Sequence, residues 1–259
     1  MLFGIDHLAL SAPSLQWAGD VLSPLGYELA FSEPSLVNAP AKRPLLRQHA
    51  DSHDIGYFRH TAGGPAVEAT VHGPVAEGGA APYRLVLRAP VSGGAAHALA
   101  SAALGEPVWE IAPAGAAMPL LVMAGSGWAP VAVTAEVADP DAEAAFWQAM
   151  GLRPKARAED GAWHVLELAS PMAALRLTLV LLRGAGRPEA TLDVPGFPCL
   201  AFLSRLRDGT MAEVAARGGR DVTTPFSLAV NGRALTIALF RSPGGLLCEL
   251  IQPASQQGN

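Results

Sequence analysis

Three residues with acid–base side chains occur in segments that otherwise have the pattern of apolar strands. They are His7 in GIDHLALS, Glu68 in AVEATVH and Glu249 in LLCELIQP. Imidazole and carboxylate groups can transfer protons or bind a metal ion. A carboxylate among leucines costs free energy unless it is paired or liganded, so Glu249 is the sharpest candidate for a functional residue. Two ordinary alternatives stay open, namely a hydrogen-bonded core histidine for His7 and an exposed strand face for Glu68.

The two cysteines of the chain, Cys199 and Cys248, both lie in apolar segments. Two cysteines do not make a disulfide framework, and reduced thiols are typical of a cytosolic protein. A free cysteine is usually a small buried residue with an inert thiol. This is the first interpretation of Cys199, before any role as a ligand or nucleophile.

The composition is that of a folded globular protein. Of the 259 residues, 50% are hydrophobic and 16% are charged, and the formal net charge is −5. An acidic balance gives no reason to expect nucleic acid or an anionic membrane as a partner. No apolar run reaches the roughly 18 residues of a membrane-spanning helix, and the first residues lack the basic segment of a signal peptide. We therefore expect a cytoplasmic protein with a small-molecule ligand, as a monomer or homodimer.

The residues around His7 and Glu68 predict a module with the order βαβββ. Alternating hydrophobicity predicts the strands, and Gly26 has the position of a helix C-cap. The predicted elements are a strand at 4–11, a helix at 15–25, a strand at 27–32, a polar loop at 33–53, and strands at 54–60 and 66–72.

The same order returns around Cys199 and Glu249. The predicted elements there are a strand at 198–204, a helix at 209–217, and strands at 221–226, 234–241 and 246–252. Two weaker copies lie between the outer ones, and they begin with the predicted strands 83–89 and 131–137. Self-similarity of this kind indicates a repeat architecture.

The repeats predict an α+β fold built from tandem βαβββ modules. The predicted first domain covers residues 1–124, with modules at 1–72 and 80–124, and the predicted second domain covers residues 128–254, with modules at 128–184 and 196–254.

The segments GIDHLALSAPSL, ADPDAEAAFWQAMGLRP and RSPGGLLCELIQP resemble the vicinal oxygen chelate superfamily. That superfamily includes glyoxalase I, extradiol ring-cleaving dioxygenases, methylmalonyl-CoA epimerase and bleomycin-type resistance proteins. The resemblance covers nearly the whole chain, and it is good in the outer modules and poor in the second. It implies two glyoxalase-like, U-shaped sheets, each closed by two modules around a cavity.

The resemblance also implies that metal ligands project from the first and fourth strands of a module. These positions hold His7 and Glu68 in the first module, Cys199 and Glu249 in the last, Arg84 in the second, and Ala132 and approximately Thr178 in the third. Ligand-type residues therefore occur in the outer two modules only.

Two ways of pairing the modules stay open. If the first module pairs with the fourth, the four ligand-type residues meet in one cavity. If the modules pair sequentially, each half holds at most two of them. The C-terminal half would then lack the two histidines of an extradiol iron site, because Ala132 and Cys199 take those positions.

By resemblance, the chain is a divalent-metal-dependent lyase or isomerase that acts on a substrate with vicinal oxygens. Glu249 or Glu68 would be the base, and the ion would be Fe, Mn, Ni or Zn. Cys199 would be an unusual fourth ligand that favours zinc, or a sign that no metal binds. The alternatives are a metal-free protein that sequesters a drug or metabolite, an extradiol-type dioxygenase, and metal-free catalysis by Glu249 or His7.

Overall fold

Four modules follow one another in the computed structural model, which describes residues 2–73, 81–91, 93–112, 118–185 and 190–254. The first module contains β1 (Leu2–Ser11), α1 (Leu15–Leu22), β2 (Tyr27–Val37), β3 (Ser52–His60) and β4 (Ala66–Val71). The second contains β5 (Tyr83–Ala89), the short β6 (Ala95–Ala96), α2 (Ala98–Leu104), β7 (Val108–Ile111) and β8 (Leu120–Ala124).

The second half of the chain repeats the plan. The third module contains β9 (Ala129–Val137), α3 (Pro140–Met150), β10 (Arg153–Arg157), β11 (Trp163–Leu168) and β12 (Leu177–Arg183). The fourth contains β13 (Gly196–Ser204), α4 (Thr210–Ala216), β14 (Phe226–Val230), β15 (Arg233–Arg241) and β16 (Leu247–Pro253). Short 3-10 helices lie at Ser23–Leu25, Pro40–Leu45 and Ala173–Leu175. The predicted α+β fold of repeated modules is confirmed.

Local sequence signals fix where the helices begin and end. The Ser14 hydroxyl accepts a hydrogen bond from the Trp17 amide at 3.1 Å and caps α1. Asp139 caps α3 in the same way, with 3.0 Å to the Ala142 amide. Gly26, at φ 88°, ends the first helical segment as predicted. The last turn of that segment is a 3-10 helix, because Pro24 has no amide hydrogen for an α-helical bond.

Strand pairing joins the outer modules to each other and the middle modules to each other. β1 runs antiparallel to β13, with Leu8 opposite Leu200, and β5 runs antiparallel to β9, with Leu85 opposite Val133. The division into a first domain at 1–124 and a second domain at 128–254 stays a prediction. Each sheet combines strands from both of these chain segments.

Each pair of modules forms its own curved sheet. The outer sheet has the strand order β2-β3-β4-β1-β13-β16-β15-β14, and the middle sheet has the order β10-β11-β12-β9-β5-β8-β7-β6. Among the described residues, Phe197 and Tyr83 form the strand pairing that joins the two sheets. Among the described residues, no helix has the length and hydropathy needed to cross a bilayer.

In the middle sheet, apolar side chains cover the face that carries the predicted ligand positions of the second and third modules. Ala132 packs in a buried cluster with Val86 and Val180, and Leu99 and Leu104 of α2 pack against this cluster. The space that a ligand would take in this sheet is therefore filled by aliphatic side chains.

Arg84, on the same face, is held by two carboxylates. Its guanidinium lies 2.5 Å from Glu110 and 3.2 Å from Glu136. These ion pairs satisfy the half-buried cation without a ligand.

Two strands differ from the sequence prediction for physical reasons. β10 has the sequence RPKAR and is exposed along its whole length, so its sequence carries no alternation of apolar and polar residues. The predicted strand at 221–226 is instead β14, which joins β15 through a two-residue turn. Asn231 and Gly232, at φ 48° and 71°, have the conformation that such a hairpin turn requires.

A buried carboxylate ties the middle sheet to the outer sheet. Glu143 of α3 accepts hydrogen bonds from the Trp147 indole at 2.8 Å and from the Gly244 amide at 2.7 Å. Gly244 lies in the turn between β15 and β16, so the contact spans the third and fourth modules. Burial raises the pKa of Glu143, although its hydrogen bonds, including one from Ser242, oppose the shift.

We expect Glu143→Ala to lower the free energy of unfolding by about 3 kcal/mol, because it leaves the buried indole and amide donors without acceptors. Denaturant unfolding measures this loss. Glu167→Ala is the control, since that carboxylate is exposed and forms a surface ion pair with Lys155 at 2.6 Å. It should cost less than about 1 kcal/mol. Equal losses in the two variants would contradict the bridging role of Glu143.

Candidate functional site

The pairing of β1 with β13 brings three of the four predicted ligand residues to one cavity. His7, Glu68 and Glu249 all line a cavity of about 80 Å³ in the outer sheet. The register explains the convergence. His7 lies opposite Ala201, and Ala201 is the neighbour of Glu249 on the parallel strand β16. Two carboxylates and one imidazole from distant parts of the chain therefore face the same space.

His7 is oriented from behind by a carboxylate. It is 2% exposed, and its Nδ1 lies 2.9 Å from the Asp6 carboxylate. The Tyr57 hydroxyl donates a hydrogen bond to the Asp6 carbonyl at 3.1 Å and helps to hold this residue. On the cavity side, His7 Nε2 lies 3.6 Å from Glu68 and has no hydrogen-bond partner. Nε2 is thus free to bond a ligand.

Opposing charges set the protonation states in the cavity. Burial by itself lowers the pKa of His7, but the charges of Glu68, Asp6 and Glu249 outweigh burial and raise the pKa to about 9. Burial raises the pKa of Glu249, while the charges of His7 and Lys42 lower it. The site therefore holds an imidazolium at neutral pH beside a carboxylate whose pKa is moved towards neutrality, as general acid–base catalysis requires.

Cys199 shares the position of His7 in the module repeat but not its surroundings. It is fully buried in an apolar cluster with Leu45, Leu46 and Leu192. Burial raises the pKa of the Cys199 thiol well above its ordinary range, so the thiol is neutral. The structure thus separates Cys199 from the open part of the cavity that His7 and Glu249 line.

The donor set does not fit a resident divalent metal ion as arranged. Within the described ranges, no three His, Cys, Asp or Glu side chains are grouped closely enough to hold an ion. The Cys199 thiol is neutral and covered, and the positively charged residue Lys42 lines the cavity with His7, Glu68 and Glu249. The predicted metal role of His7, Glu68, Glu249 and Cys199 stays a prediction from the resemblance.

Lys42 is the residue that sequence reasoning missed. It lies on the 3-10 helix between β2 and β3, in the segment predicted to be a polar loop, and it is 8% exposed. The one available signal is composition, because Lys42 and Lys155 are the only lysines in the sequence. A lysine in a polar loop is ordinarily solvated, so the local pattern does not predict its burial.

A neutral histidine, His53, lines the cavity with Lys42, and a second neutral histidine, His72, packs on its ring. The rings of His53 and His72 stack with their centroids 5.0 Å apart. Burial, together with the charge of Lys42, lowers the pKa of His53 to about 2 and that of His72 to about 3. These imidazoles are therefore uncharged at neutral pH, and the positive charges in the cavity belong to His7 and Lys42.

A wider space of about 330 Å³, which we call the outer pocket, adjoins the cavity. The two share Asp6, Phe31 and Tyr57. The Phe31 and Tyr57 rings stack at 5.2 Å with an angle of 8°, and Arg59 and Arg233 line the rim. A ligand could therefore place an apolar or planar part on the rings and its reactive part near His7.

A larger cleft of about 610 Å³ lies between the turn at Gly63 and the β12 region. Its charged lining residues are Glu167 and Arg176, and the rest of its lining is small or apolar. We place the candidate site in the smaller cavity, because oriented and electrostatically coupled groups are the stronger sign of chemistry.

The raised pKa of His7 predicts a pH dependence of stability. The folded protein binds this proton more tightly than an unfolded chain with a pKa near 6.5. The resulting stability is fully present below about pH 6.5 and is lost as the pH rises through about 9. Denaturant unfolding between about pH 7 and pH 10 should show a loss in wild type that is absent in His7→Gln, by about 3 kcal/mol. Superimposable pH profiles would contradict the charged imidazole.

No protein-family model matches this chain, and no curated protein sequence matches it significantly. Solved structures do match. A point mutant of glyoxalase I from Zea mays aligns with a TM-score of 0.62 at 15% identity, over 96% of this chain and 92% of that chain. A dioxygenase candidate from Bacillus subtilis aligns with a TM-score of 0.62 at 16% identity, over 98% and 86%.

Glyoxalase I from Zea mays itself aligns with a TM-score of 0.57 at 13% identity, over 96% of this chain and 92% of that chain. Identities this low establish a common fold and leave the activity open. The likeness extends over all four modules, in agreement with the resemblance found in the sequence. The chain therefore has a glyoxalase-like fold.

Proposed function

We propose that this chain is a glyoxalase-like enzyme of small-molecule metabolism, an isomerase or lyase that moves a proton on a carbon next to vicinal oxygens. The observation that carries the proposal is the convergence of Glu249, Glu68 and a protonated His7 in one cavity. A buried acid and a buried imidazolium from different modules are costly to hold without a use. Acid–base chemistry on a small substrate supplies that use.

Each side chain has a distinct part in the proposed reaction. Glu249 takes the proton from carbon, and its raised pKa makes it a stronger base than an ordinary glutamate. Negative charge then develops on the neighbouring substrate oxygen. His7 Nε2, which makes no hydrogen bond to another described residue, donates a hydrogen bond to this oxygen. Asp6 and Glu68 hold the imidazole charged and in position.

The resemblance implies a divalent metal, which would polarise the same substrate oxygens when bound. The described side chains do not form a site for a metal ion, so the proposed proton transfer uses protein side chains alone. Measuring the metal content of purified protein, and its affinity for Fe, Mn, Ni and Zn, tests the metal-dependent form of the proposal directly.

A second candidate function is sequestration of an aromatic or apolar small molecule. The stacked Phe31 and Tyr57 rings in the outer pocket favour it. Binding of planar ligands with no chemical conversion would support this function over catalysis. The extradiol dioxygenase alternative has weaker support, because Ala132 packs among aliphatic side chains and Cys199 is covered.

We expect Glu249→Gln to slow proton exchange on a substrate-like ketone by about 100-fold or more, which is the usual contribution of a general base. The probe is hydroxyacetone, a small molecule with vicinal oxygens, and proton NMR in D2O follows the loss of its carbon-bound hydrogens. Wild type should accelerate the exchange over buffer.

The matched control is Glu213→Gln, an exposed glutamate on α4, which should retain the wild-type rate. Equal rates in wild type and Glu249→Gln would remove Glu249 as the base. Absence of exchange in wild type with hydroxyacetone, glycolaldehyde and dihydroxyacetone, combined with tight binding of aromatic ligands, would favour sequestration.

A further inference from the structure

We propose that the Lys42 ammonium is a second cation of this site, beside the His7 imidazolium, and that it binds an anionic oxygen of the substrate. The inference rests on the proposed function for the identity of that oxygen, which is the one that gains charge when Glu249 removes a proton. The ligand class is a small organic anion or enolate with vicinal oxygens.

The position of Lys42 is the first argument. Its side chain lines the same cavity as His7, Glu68 and Glu249, although it lies in the connection between β2 and β3. Lysine is among the residues least often buried, because desolvating an ammonium is costly. The other lysine, Lys155, is 57% exposed. The chain thus buries one of its two lysines in the cavity that His7, Glu68 and Glu249 line.

The Lys42 ammonium also has N–H donors that no described protein group uses. Within the described part of the chain, it forms no hydrogen bond or ion pair at contact distance. Its charge nevertheless acts on Glu249 of the fourth module and on His53 of the first. An ammonium that shares a cavity with two carboxylates, without an ion pair at contact distance, can take a ligand oxygen as its partner.

The third argument is that the backbone around Lys42 is held by the opposite module. The Leu45 carbonyl accepts a hydrogen bond from the Leu192 amide at 2.8 Å. The Asp193 carboxylate accepts bonds from the amides of Arg47 at 2.9 Å and Gln48 at 3.1 Å. The 3-10 helix that carries Lys42 is therefore fixed against the segment that leads into β13, so the backbone that carries this side chain is held in place.

The charge of Lys42 also explains why the donor residues do not form a metal site. An ammonium repels a divalent cation in the same small cavity, and the repulsion is strong where water is largely excluded. The fourth ligand position is meanwhile held by the neutral Cys199 thiol, under Leu45 and Leu46. The ammonium of Lys42 and the covered thiol of Cys199 therefore agree with one another, because both disfavour a metal ion in this cavity.

Oxalate is the test ligand, because it is a small planar anion with vicinal oxygens. We expect isothermal titration to show that wild type binds oxalate in the presence of EDTA. Lys42→Met should weaken this binding about tenfold or more, which is the usual effect of losing a charge-assisted hydrogen bond. Lys155→Met, the matched control, should bind oxalate like wild type. In the converse titration, Lys42→Met should bind Zn or Ni about tenfold more tightly than wild type.

A second measurement does not depend on the fold of the variant. Reductive methylation with ¹³C-formaldehyde labels the two lysines and the N-terminal amine of the wild-type protein, and the signal of Lys155 is assigned by its absence from Lys155→Met. Oxalate in EDTA should shift the Lys42 signal and leave the Lys155 signal in place. Oxalate binding that requires a divalent metal, or that leaves the Lys42 signal and the Lys42→Met affinity unchanged, would overturn the proposal.

Failure of this inference is distinguishable from failure of the proposed function. Oxalate binding through Lys42 without any proton exchange on hydroxyacetone would leave the cation site in place and reject the reaction. Exchange that depends on Glu249, together with oxalate binding that ignores Lys42, would reject the cation site and leave the reaction in place.

Discussion

The antiparallel pairing of β1 with β13 is the constraint on which the candidate site depends. It places strands from the two ends of the chain side by side, and each carries its own parallel partner, β4 or β16. Glu68 and Glu249, which belong to those partners, thereby face one cavity together with His7. With sequential pairing of the modules, these carboxylates would lie in separate sheets, and the mutual effects on their protonation would be lost.

Each charged group in the cavity would be costly to bury alone, and the opposite charges beside it offset that cost. His7 is protonated because Asp6, Glu68 and Glu249 surround it, and Glu249 keeps some acidity because His7 and Lys42 oppose the effect of burial. Such a network is costly to bury and gives little net stability. In the proposed reaction, the network would hold a base and hydrogen-bond donors in fixed positions before a substrate arrives.

The outer and middle sheets have the same arrangement of modules, but the corresponding faces differ. This face is filled by side chains in the middle sheet and lines a cavity in the outer sheet. In the middle sheet, α2 and aliphatic residues such as Val86 and Ala132 fill the face that corresponds to the candidate site. In the outer sheet, the matching face carries His7 and the carboxylates, and the β2–β3 connection with Lys42 covers only part of it. Side-chain volume and charge, rather than topology, decide which of two equivalent faces keeps a cavity.

The sequence by itself predicted the modules, the end of the first helical segment at Gly26, and the candidate residues His7, Glu68 and Glu249. These features are local, because alternation and capping depend on neighbours a few positions away. Only the tertiary structure decided that the outer modules pair and that Lys42 is buried. The bonds that hold its segment join Arg47 to Asp193, which lies 146 positions away, and no local pattern encodes a contact at that distance.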